Sequence, residues 1–204
     1  MLIGIVDYGS GNIASVANML KRVGLRSQIS GNPAVLRAAT HLILPGVGSF
    51  DHGMTQLSQL GLDEFLQEMA AEGRPLLGIC LGMQLLADGS EEGSKNGLGL
   101  IPGQVRYLAA QKRVGLPVPH VGWNQVDFRE GNAFYLPEGS QRFYFTHSYQ
   151  FICTNADQRM AITQYGEPVT AGVMSGNVAG VQFHPEKSHR YGMALLKSFG
   201  ERLG

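Results

Sequence analysis

Cysteine is scarce in this chain: only Cys80 and Cys153 occur among its 204 residues. Two cysteines provide no disulfide framework, and their spacing is not that of metal ligands. We therefore expect no metal and no cofactor. A chain without a disulfide framework is typical of the cytoplasm, where thiols stay reduced, and that is the predicted location.

The sequence also lacks an excess of either charge and lacks long hydrophobic runs. Its 16 Lys and Arg residues balance 16 Asp and Glu residues, which predicts no electrostatic surface for nucleic acid or for a membrane. The first apolar run, Leu2–Val6, is too short for a signal peptide and has no basic leader. No apolar run approaches the roughly 20 residues that span a membrane. We expect neither a nucleic-acid partner nor a membrane partner.

The composition is that of an ordinary globular protein, with 44% hydrophobic and 16% charged residues. The length suits one large domain or two small ones. Because no shift in composition marks a linker, we expect a single domain over residues 1–204. The 28 glycines predict tight turns and close approaches between backbone segments.

Strand and helix patterns alternate through residues 1–90. Apolar residues at helical spacing predict helices from Ile13 to Val23 and from Leu62 to Ala70. The predicted strands are Leu2–Val6, Leu25–Ile29, His41–Leu44 and Pro75–Ile79. Such alternation predicts an α/β fold in which helices flank a mainly parallel, open sheet.

The pattern changes after Ile101 to short β-like runs. These runs are Val105–Leu108, Val126–Phe128, Arg142–Thr146, Met160–Thr163 and Gly172–Met174. The Ser175-Gly176-Asn177 sequence predicts a tight turn that joins Val173 to a strand at Val178–Val181 as a hairpin. The residues that predict a last amphipathic helix are Met193, Leu196, Phe199 and Leu203. The second half is therefore expected to add antiparallel strands.

One stretch combines a predicted strand, a turn and a helix around a cysteine. In Gly78-Ile79-Cys80-Leu81-Gly82 the two glycines have the spacing of a nucleophile elbow, a turn too tight for Cβ atoms at those positions. Cys80 would project from it at a helix N-terminus, which favours an anion. Lowering a thiol pKa by about two units requires roughly 2.7 kcal/mol, whereas a helix terminus contributes at best about 2. A base from elsewhere is needed, and without one Cys80 would be a small buried hydrophobe.

The run from Val181 to Glu186 offers that base. Its apolar and polar residues alternate as in a strand, so His184 and Glu186 should point to the same side. A carboxylate can hold the proton on one imidazole nitrogen and leave the other nitrogen free to act on the cysteine. The alternative is a surface histidine beside a solvated carboxylate. The histidines predicted to be structural or exposed are His41, His52, His120, His147 and His189.

Three motifs together resemble the class I, or triad, glutamine amidotransferases: Pro-Gly-Val-Gly at 45–48, Gly-Ile-Cys-Leu-Gly-Met-Gln at 78–84 and Val-Gln-Phe-His-Pro-Glu at 181–186. Residues 7–12, 122–124, 146–149 and 184–188 resemble one branch of that family, the glutaminase subunits of imidazole glycerol phosphate synthase. The similarity covers essentially the whole chain. It implies a flavodoxin-like sheet and hydrolysis of L-glutamine to L-glutamate and ammonia through a Cys thioester, within histidine biosynthesis.

The resemblance also implies roles for particular residues. Cys80, His184 and Glu186 would form a catalytic triad. The backbone N–H groups of Leu81 and of either Val47 or Gly48 would form the oxyanion hole. The residues that would bind glutamine are Gln84, Glu92, His147, Ser148 and Tyr149. The alternative is that Gln84 and Glu92 are exposed polar residues without a ligand.

The partner that the resemblance implies is a (β/α)8-barrel cyclase subunit. It would form a heterodimer with this chain and use the ammonia to make imidazole glycerol phosphate and AICAR. The residues expected at the interface are Asn12, Trp123, Tyr144 and Lys187. The alternative for Trp123 is a place in the core. Two other functions stay open: a cysteine peptidase or acyl hydrolase on the same scaffold, and a non-catalytic regulatory subunit.

Overall fold

The computed structural model describes residues 1–109, 114–130, 134 and 141–202, and the elements below belong to these residues. Within them, five strands form the parallel half of a nine-stranded sheet. They are β1 (Ile3–Val6), β2 (Ser27–Ser30), β3 (His41–Gly46), β4 (Leu76–Cys80) and, near the end of the chain, β12 (Val178–Val181). All but β2 are buried along their whole length, as apolar strands covered on both faces should be.

The remaining strands add an antiparallel half and a small second sheet. β7 (His120–Phe128), β8 (Gln141–His147), β10 (Arg159–Tyr165) and β11 (Glu167–Ser175) continue the large sheet in the order β2-β1-β3-β4-β12-β11-β10-β7-β8. β5 (Gly89–Ser90), β6 (Gly103–Tyr107) and β9 (Tyr149–Cys153) form the small sheet. The predicted α/β class with antiparallel strands from the second half is confirmed, although parallel and antiparallel pairings share the large sheet evenly.

Helices cover both faces of the large sheet. They are α1 (Ile13–Arg22), α2 (Pro33–Leu36), α3 (Phe50–Gln59), α4 (Leu62–Ala71), α5 (Leu81–Leu85) and α6 (His189–Arg202). Successive strand residues point to opposite faces, so Leu42 packs with α3 to α5 in one apolar cluster and Ile43 with α1 and α6 in another. No helix of the described residues is long and apolar enough to cross a membrane.

The predicted hairpin is confirmed, with Ser175 paired to Val178 and Gly176 at a φ of 57°. The patterns do not predict α3 or β9. The predicted extended strand through His184 is wrong. β12 ends at Val181, and Pro185–Lys187 form a 3-10 turn, for which the fixed φ of proline is well suited. Leu203, predicted in the last helix, lies outside the described residues.

The topology decides where a site can form. β1, β3, β4 and β12 are parallel neighbours, so their carboxyl ends lie at the same edge of the sheet. The segments at these ends carry Ser10, Val47, Cys80 and His184. In open α/β sheets, ligands bind at this edge.

Candidate active site

A cleft of about 350 Å³ opens at this edge of the sheet. Its lining residues are Val47, Gly48, Cys80, Leu81, Gln84, Glu92, Pro119, Thr146, His147, Ser148, Tyr149 and His184. The structure thus brings the sequence-predicted nucleophile, base, oxyanion segment and glutamine-binding residues into one cavity. Pro119 and Thr146 also line it; no functional role is predicted for either from the sequence, although Thr146 belongs to the 146–149 motif. Among the described residues, no group of three or more His, Cys, Asp or Glu side chains could hold a metal ion.

Cys80 lies in the tight turn that the glycine spacing predicts. Its backbone has a φ of 55° and a ψ of −111°, a conformation that L-residues rarely adopt. A Cβ at Gly82 would overlap the carbonyl oxygen of Leu44, and one at Gly78 would lie 2.6 Å from the carbonyl oxygen of Gly82. The two glycines therefore let β4 turn sharply into α5 and present the thiol to the cleft.

His184 and Glu186 meet as predicted, although through a different backbone conformation. His184 Nδ1 lies 2.7 Å from Glu186 Oε1, and both side chains are 2% exposed. The 3-10 turn over Pro185–Lys187 brings the carboxylate back to the ring. Glu186 does not line the cleft but lies behind His184, where it can orient the imidazole.

The charge state of His184 suits a proton donor. Burial lowers its pKa, but its interactions with Cys80 and Glu186 raise it more, to about 9. Nε2 is buried and completes no hydrogen bond of good geometry within the described residues. The ring is therefore held by Glu186 on one side and remains able to exchange a proton with the cysteine or a substrate on the other.

Gln84 and Glu92 have defined positions at the cleft. Gln84 is 5% exposed, and its Nε2 donates to the carbonyl oxygen of Tyr149 at 3.3 Å. Glu92 Oε2 accepts the backbone N–H of Phe50 at 2.9 Å, which satisfies a free N–H at the start of α3. The alternative of an exposed residue at position 84 is therefore wrong. Glu92 has a further carboxylate oxygen that can face a ligand.

His120 and His147, predicted to be structural or exposed, are buried and bonded to each other. His120 Nδ1 lies 3.0 Å from His147 Nε2, and His147 Nδ1 lies 2.8 Å from the carbonyl oxygen of Tyr149. His120 also stacks on Tyr165 at a centroid distance of 3.9 Å. Burial lowers the pKa of His120 to about 4 and the pKa of His147 to about 3, so both rings are neutral near pH 7.

Comparison with known proteins decides the family. A model of the class I glutamine amidotransferases matches residues 4–202. The chain belongs to the class I glutamine amidotransferase family. Within it, the chain belongs with the HisH subunits, to which it is similar over nearly its full length.

Three proteins illustrate the amidotransferase similarity. The imidazole glycerol phosphate synthase subunit HisH 2 of Methanococcus maripaludis is 46% identical over 202 residues, covering 97% of this chain and 98% of that protein. The HisH subunit of Moorella thermoacetica is 47% identical over 201 residues, covering 98% of this chain and 94% of that protein. A crystal structure of a glutamine amidotransferase has a TM-score of 0.72 at 21% identity, covering 95% of this chain and 98% of that one, which shows the shared fold.

Val47, one of the two residues expected to provide the second oxyanion donor, is held by Ser10, which lies in the 7–12 motif but has no role assigned from the sequence. The backbone N–H of Val47 donates to Ser10 Oγ at 3.2 Å, and the Ser10 hydroxyl donates in turn to the carbonyl oxygen of Val47. The Val47 N–H is therefore hydrogen-bonded to Ser10 in this structure. Gly48, at a φ of 103°, and Leu81 also line the cleft.

The residues expected at the partner interface of the amidotransferase lie at the surface. Trp123 is 40% exposed, so a place in the core is wrong. It is paired across strands with Tyr144 and stacks on His189 with an interplanar angle of 1°. Lys187 Nζ lies 5.7 Å from the centroid of the Tyr144 ring. Asn12 precedes α1, and α1 contacts the Pro185–Lys187 turn.

Proposed function

We propose that this protein is the glutaminase subunit of an imidazole glycerol phosphate synthase. It hydrolyses L-glutamine to L-glutamate and ammonia, and it delivers the ammonia to a cyclase subunit that makes imidazole glycerol phosphate and AICAR in histidine biosynthesis. The observation that carries the proposal is the convergence of Cys80, His184 and Glu186 at one cleft, in a chain of the HisH branch. One glutamine amidotransferase domain over residues 1–204 would contain the site.

The geometry supports a thioester mechanism. The Cys80 thiolate attacks the side-chain amide carbon of glutamine, and a C–S bond forms as the carbonyl oxygen becomes negative. Protonated His184 gives its proton to the departing nitrogen, the C–N bond breaks, and ammonia leaves. Water then attacks the thioester with His184 as the base, a C–O bond forms and the C–S bond breaks, which releases glutamate and restores the thiolate and protonated His184. Glu186 holds Nδ1 throughout.

The cleft also suits the substrate. The remaining Glu92 carboxylate oxygen can accept the ammonium group of glutamine, and the Ser148 and Tyr149 segment can contact the rest of the molecule. Backbone N–H groups beside the thiol can stabilise the negative oxygen, with Leu81 as one donor and Val47 or Gly48 as the other. A cavity of about 350 Å³ is suited to a single amino acid.

The proposed partner is a (β/α)8-barrel cyclase that docks on the face formed by Trp123, Tyr144 and Lys187, with Asn12 at its margin. An exposed tryptophan next to a half-buried tyrosine and a lysine is typical of an interface anchor. The two cysteines of the chain are both free, which suits a reducing cytoplasm.

The experiment that tests the function uses Cys80→Ala in the assembled complex. Synthesis with glutamine as nitrogen donor should be abolished, whereas synthesis from added ammonium salts should continue at the wild-type rate. Equal loss of both would contradict the division of labour between the subunits. An electrophilic glutamine analogue should add its mass to Cys80, and labelling of Cys153 instead would mean that the nucleophile is wrongly assigned.

A further inference from the structure

Gln182 is a buried amide in direct contact with the nucleophile. It is 0% exposed and follows β12, and its backbone N–H donates to the carbonyl oxygen of Ala171 at 2.9 Å. Its side-chain Nε2 donates to Cys80 Sγ at 3.8 Å, and its Oε1 accepts from Gln84 Nε2 at 3.0 Å. An amide placed among apolar residues is costly to bury unless it is hydrogen-bonded, and here both ends of the amide are.

The orientation of the Gln182 amide follows from neighbouring groups that can only accept or only donate a hydrogen bond. The carbonyl oxygen of Tyr149 only accepts, so the end of the Gln84 amide at 3.3 Å from it must be the NH₂ group. That NH₂ group also faces Gln182 Oε1, since a Gln182 NH₂ there would place two donors against each other. The Gln182 NH₂ group must therefore face the sulfur.

The Tyr149 carbonyl is itself held by a second donor. His147 Nδ1–H donates to it at 2.8 Å, which leaves His147 Nε2 as an acceptor for His120 Nδ1–H at 3.0 Å. Both rings are neutral near pH 7, so each has one N–H and one acceptor, and this assignment places a donor opposite an acceptor in both bonds. The chain of bonds from His120 to Cys80 has one consistent set of donor directions.

We propose that Gln182 is a further catalytic residue, a fixed amide donor that stabilises negative charge on the Cys80 sulfur. Gln84 and the Tyr149 carbonyl act through it as positioning groups. The inference rests on the proposed role of Cys80 as nucleophile. A buried ion pair is favourable only when further hydrogen bonds satisfy its remaining lone pairs, and Gln182 supplies such a bond to a thiolate paired with His184.

Other titratable groups also face the sulfur or the cleft. His184 is the cationic group that interacts with Cys80, and Glu186 bonds the other side of its ring. Tyr8 lies just after β1 and interacts with Cys80. Burial raises the pKa of Tyr8, so its hydroxyl stays neutral. Glu92 and neutral His147 line the cleft farther along. Substitutions at Gln182 change none of these side chains, so they isolate the amide donor.

The test measures the pH dependence of Cys80 alkylation by iodoacetamide in the full-length protein without substrate. Gln182→Glu keeps the side-chain length and the acceptor for Gln84 but loses the N–H donor to Cys80. Gln182→Met keeps the side-chain length and has neither the donor nor the acceptor. The pH of half-maximal alkylation should rise by about one unit in Gln182→Met and further in Gln182→Glu, so that alkylation at pH values well below the wild-type midpoint slows about tenfold or more. Peptide-resolved mass spectrometry reads Cys80 separately from Cys153, which is the internal control.

A matched control separates the loss of the hydrogen-bond donor to Cys80 from a general loss of stability. Asn177 is another amide, and its Nδ2 donates to the carbonyl oxygens of Ala70 at 3.0 Å and Arg74 at 2.8 Å, at the amino end of β12. Asn177→Asp should lower the melting temperature without moving the Cys80 alkylation profile. An unchanged profile in folded Gln182→Met would overturn the proposal. Methionine packs readily in cores, so this variant remains informative if a buried carboxylate prevents folding.

Glutamate release adds a separate measurement. The Gln182 variants should lower kcat for glutamine and leave KM nearly unchanged, because the donor acts on the nucleophile rather than on the substrate. If the wild-type protein assembled with its cyclase subunit releases no glutamate, the proposed function fails while the alkylation profile still decides the role of Gln182. A KM increase at constant kcat would overturn the inference.

Discussion

The hydroxyl of Ser10 bonds both backbone polar groups of Val47. It accepts the Val47 N–H at 3.2 Å and donates to the Val47 carbonyl oxygen. Ser10 follows β1 and Val47 follows β3, so neighbouring strands bring them together. Val47 is one of the two residues expected to provide the second oxyanion donor. Its N–H is already hydrogen-bonded to Ser10, so Val47 could act as that donor only after this bond breaks.

Ser10→Ala should therefore raise the basal glutaminase activity. A hydrogen bond of this kind contributes about 0.5–1.5 kcal/mol, so its removal should favour a reoriented Val47 N–H by roughly 2- to 12-fold. Glutamate release by the isolated subunit measures the effect. Ser10→Thr keeps a hydroxyl and should remain close to wild type. Lower activity in Ser10→Ala would mean that the serine supports the active conformation instead.

Glu92→Gln and Glu92→Ala should separate two roles of one carboxylate. Both lose the charge for the glutamine ammonium, and since hydrogen bonds to charged groups contribute about 1.5–3 kcal/mol, KM should rise by roughly 10- to 150-fold. Glu92→Gln keeps an acceptor for the Phe50 N–H, whereas Glu92→Ala should also lose about 1 kcal/mol of stability, as capping losses do. Steady-state kinetics and urea unfolding measure the two effects. An unchanged KM in both variants would remove Glu92 from the substrate site.

Stability should fall on the acid side because of the His120 and His147 pair. Burial lowers the pKa of these residues to about 4 and about 3, below the ordinary value of about 6.5. The unfolded chain then binds protons that the folded chain does not, so their contribution is present above about pH 6.5 and is lost as pH falls toward 4. His120→Gln should flatten this slope, by at most about 1.4 kcal/mol per pH unit.

Urea unfolding between about pH 6.5 and 4.5 measures the slope of the unfolding free energy. The matched control is His52→Gln, since His52 is exposed on α3 and should leave the slope as in wild type. A parallel slope in His120→Gln and wild type would assign the acid instability to other groups.

Trp123→Ala should weaken binding of the cyclase subunit. Central aromatic anchors commonly contribute about 2 kcal/mol or more, so the dissociation constant should rise roughly 30-fold. Ile152→Ala is the matched control, because Ile152 is also a large exposed hydrophobic residue, at 45%, but lies on β9 of the small sheet. Titration calorimetry with the cyclase measures both. Equal affinity for wild type and Trp123→Ala would move the interface away from this face.

Features set by local geometry could be predicted from the sequence. The turn around Cys80 requires glycines that approach other backbone atoms, and the Ser175–Val178 turn requires a residue such as Gly176 at positive φ. Both requirements can be recognised in the sequence, because the glycines lie within a few residues of the turns that need them. α3 is not predicted, because Gly53, packed against α5, weakens the helical pattern of Phe50, Met54 and Leu57.

Contacts between distant segments could not be predicted in this way. Gln182 is 102 residues from Cys80, and nothing beside it in the sequence indicates that its partners are a sulfur and another glutamine. A polar residue between Val181 and Phe183 is the signal that could have identified it as a buried, bonded amide. The Ser10 and Val47 contact is likewise created by strand order rather than by any local pattern.

The backbone of Cys80 has an evolutionary consequence. A φ of 55° with a ψ of −111° costs a residue with a side chain about 1–3 kcal/mol that glycine largely avoids. A gene copy released from selection for its reaction would gain stability by acquiring glycine at this position. Homologues with glycine here would mark lineages in which the chemistry has been abandoned and the scaffold retained.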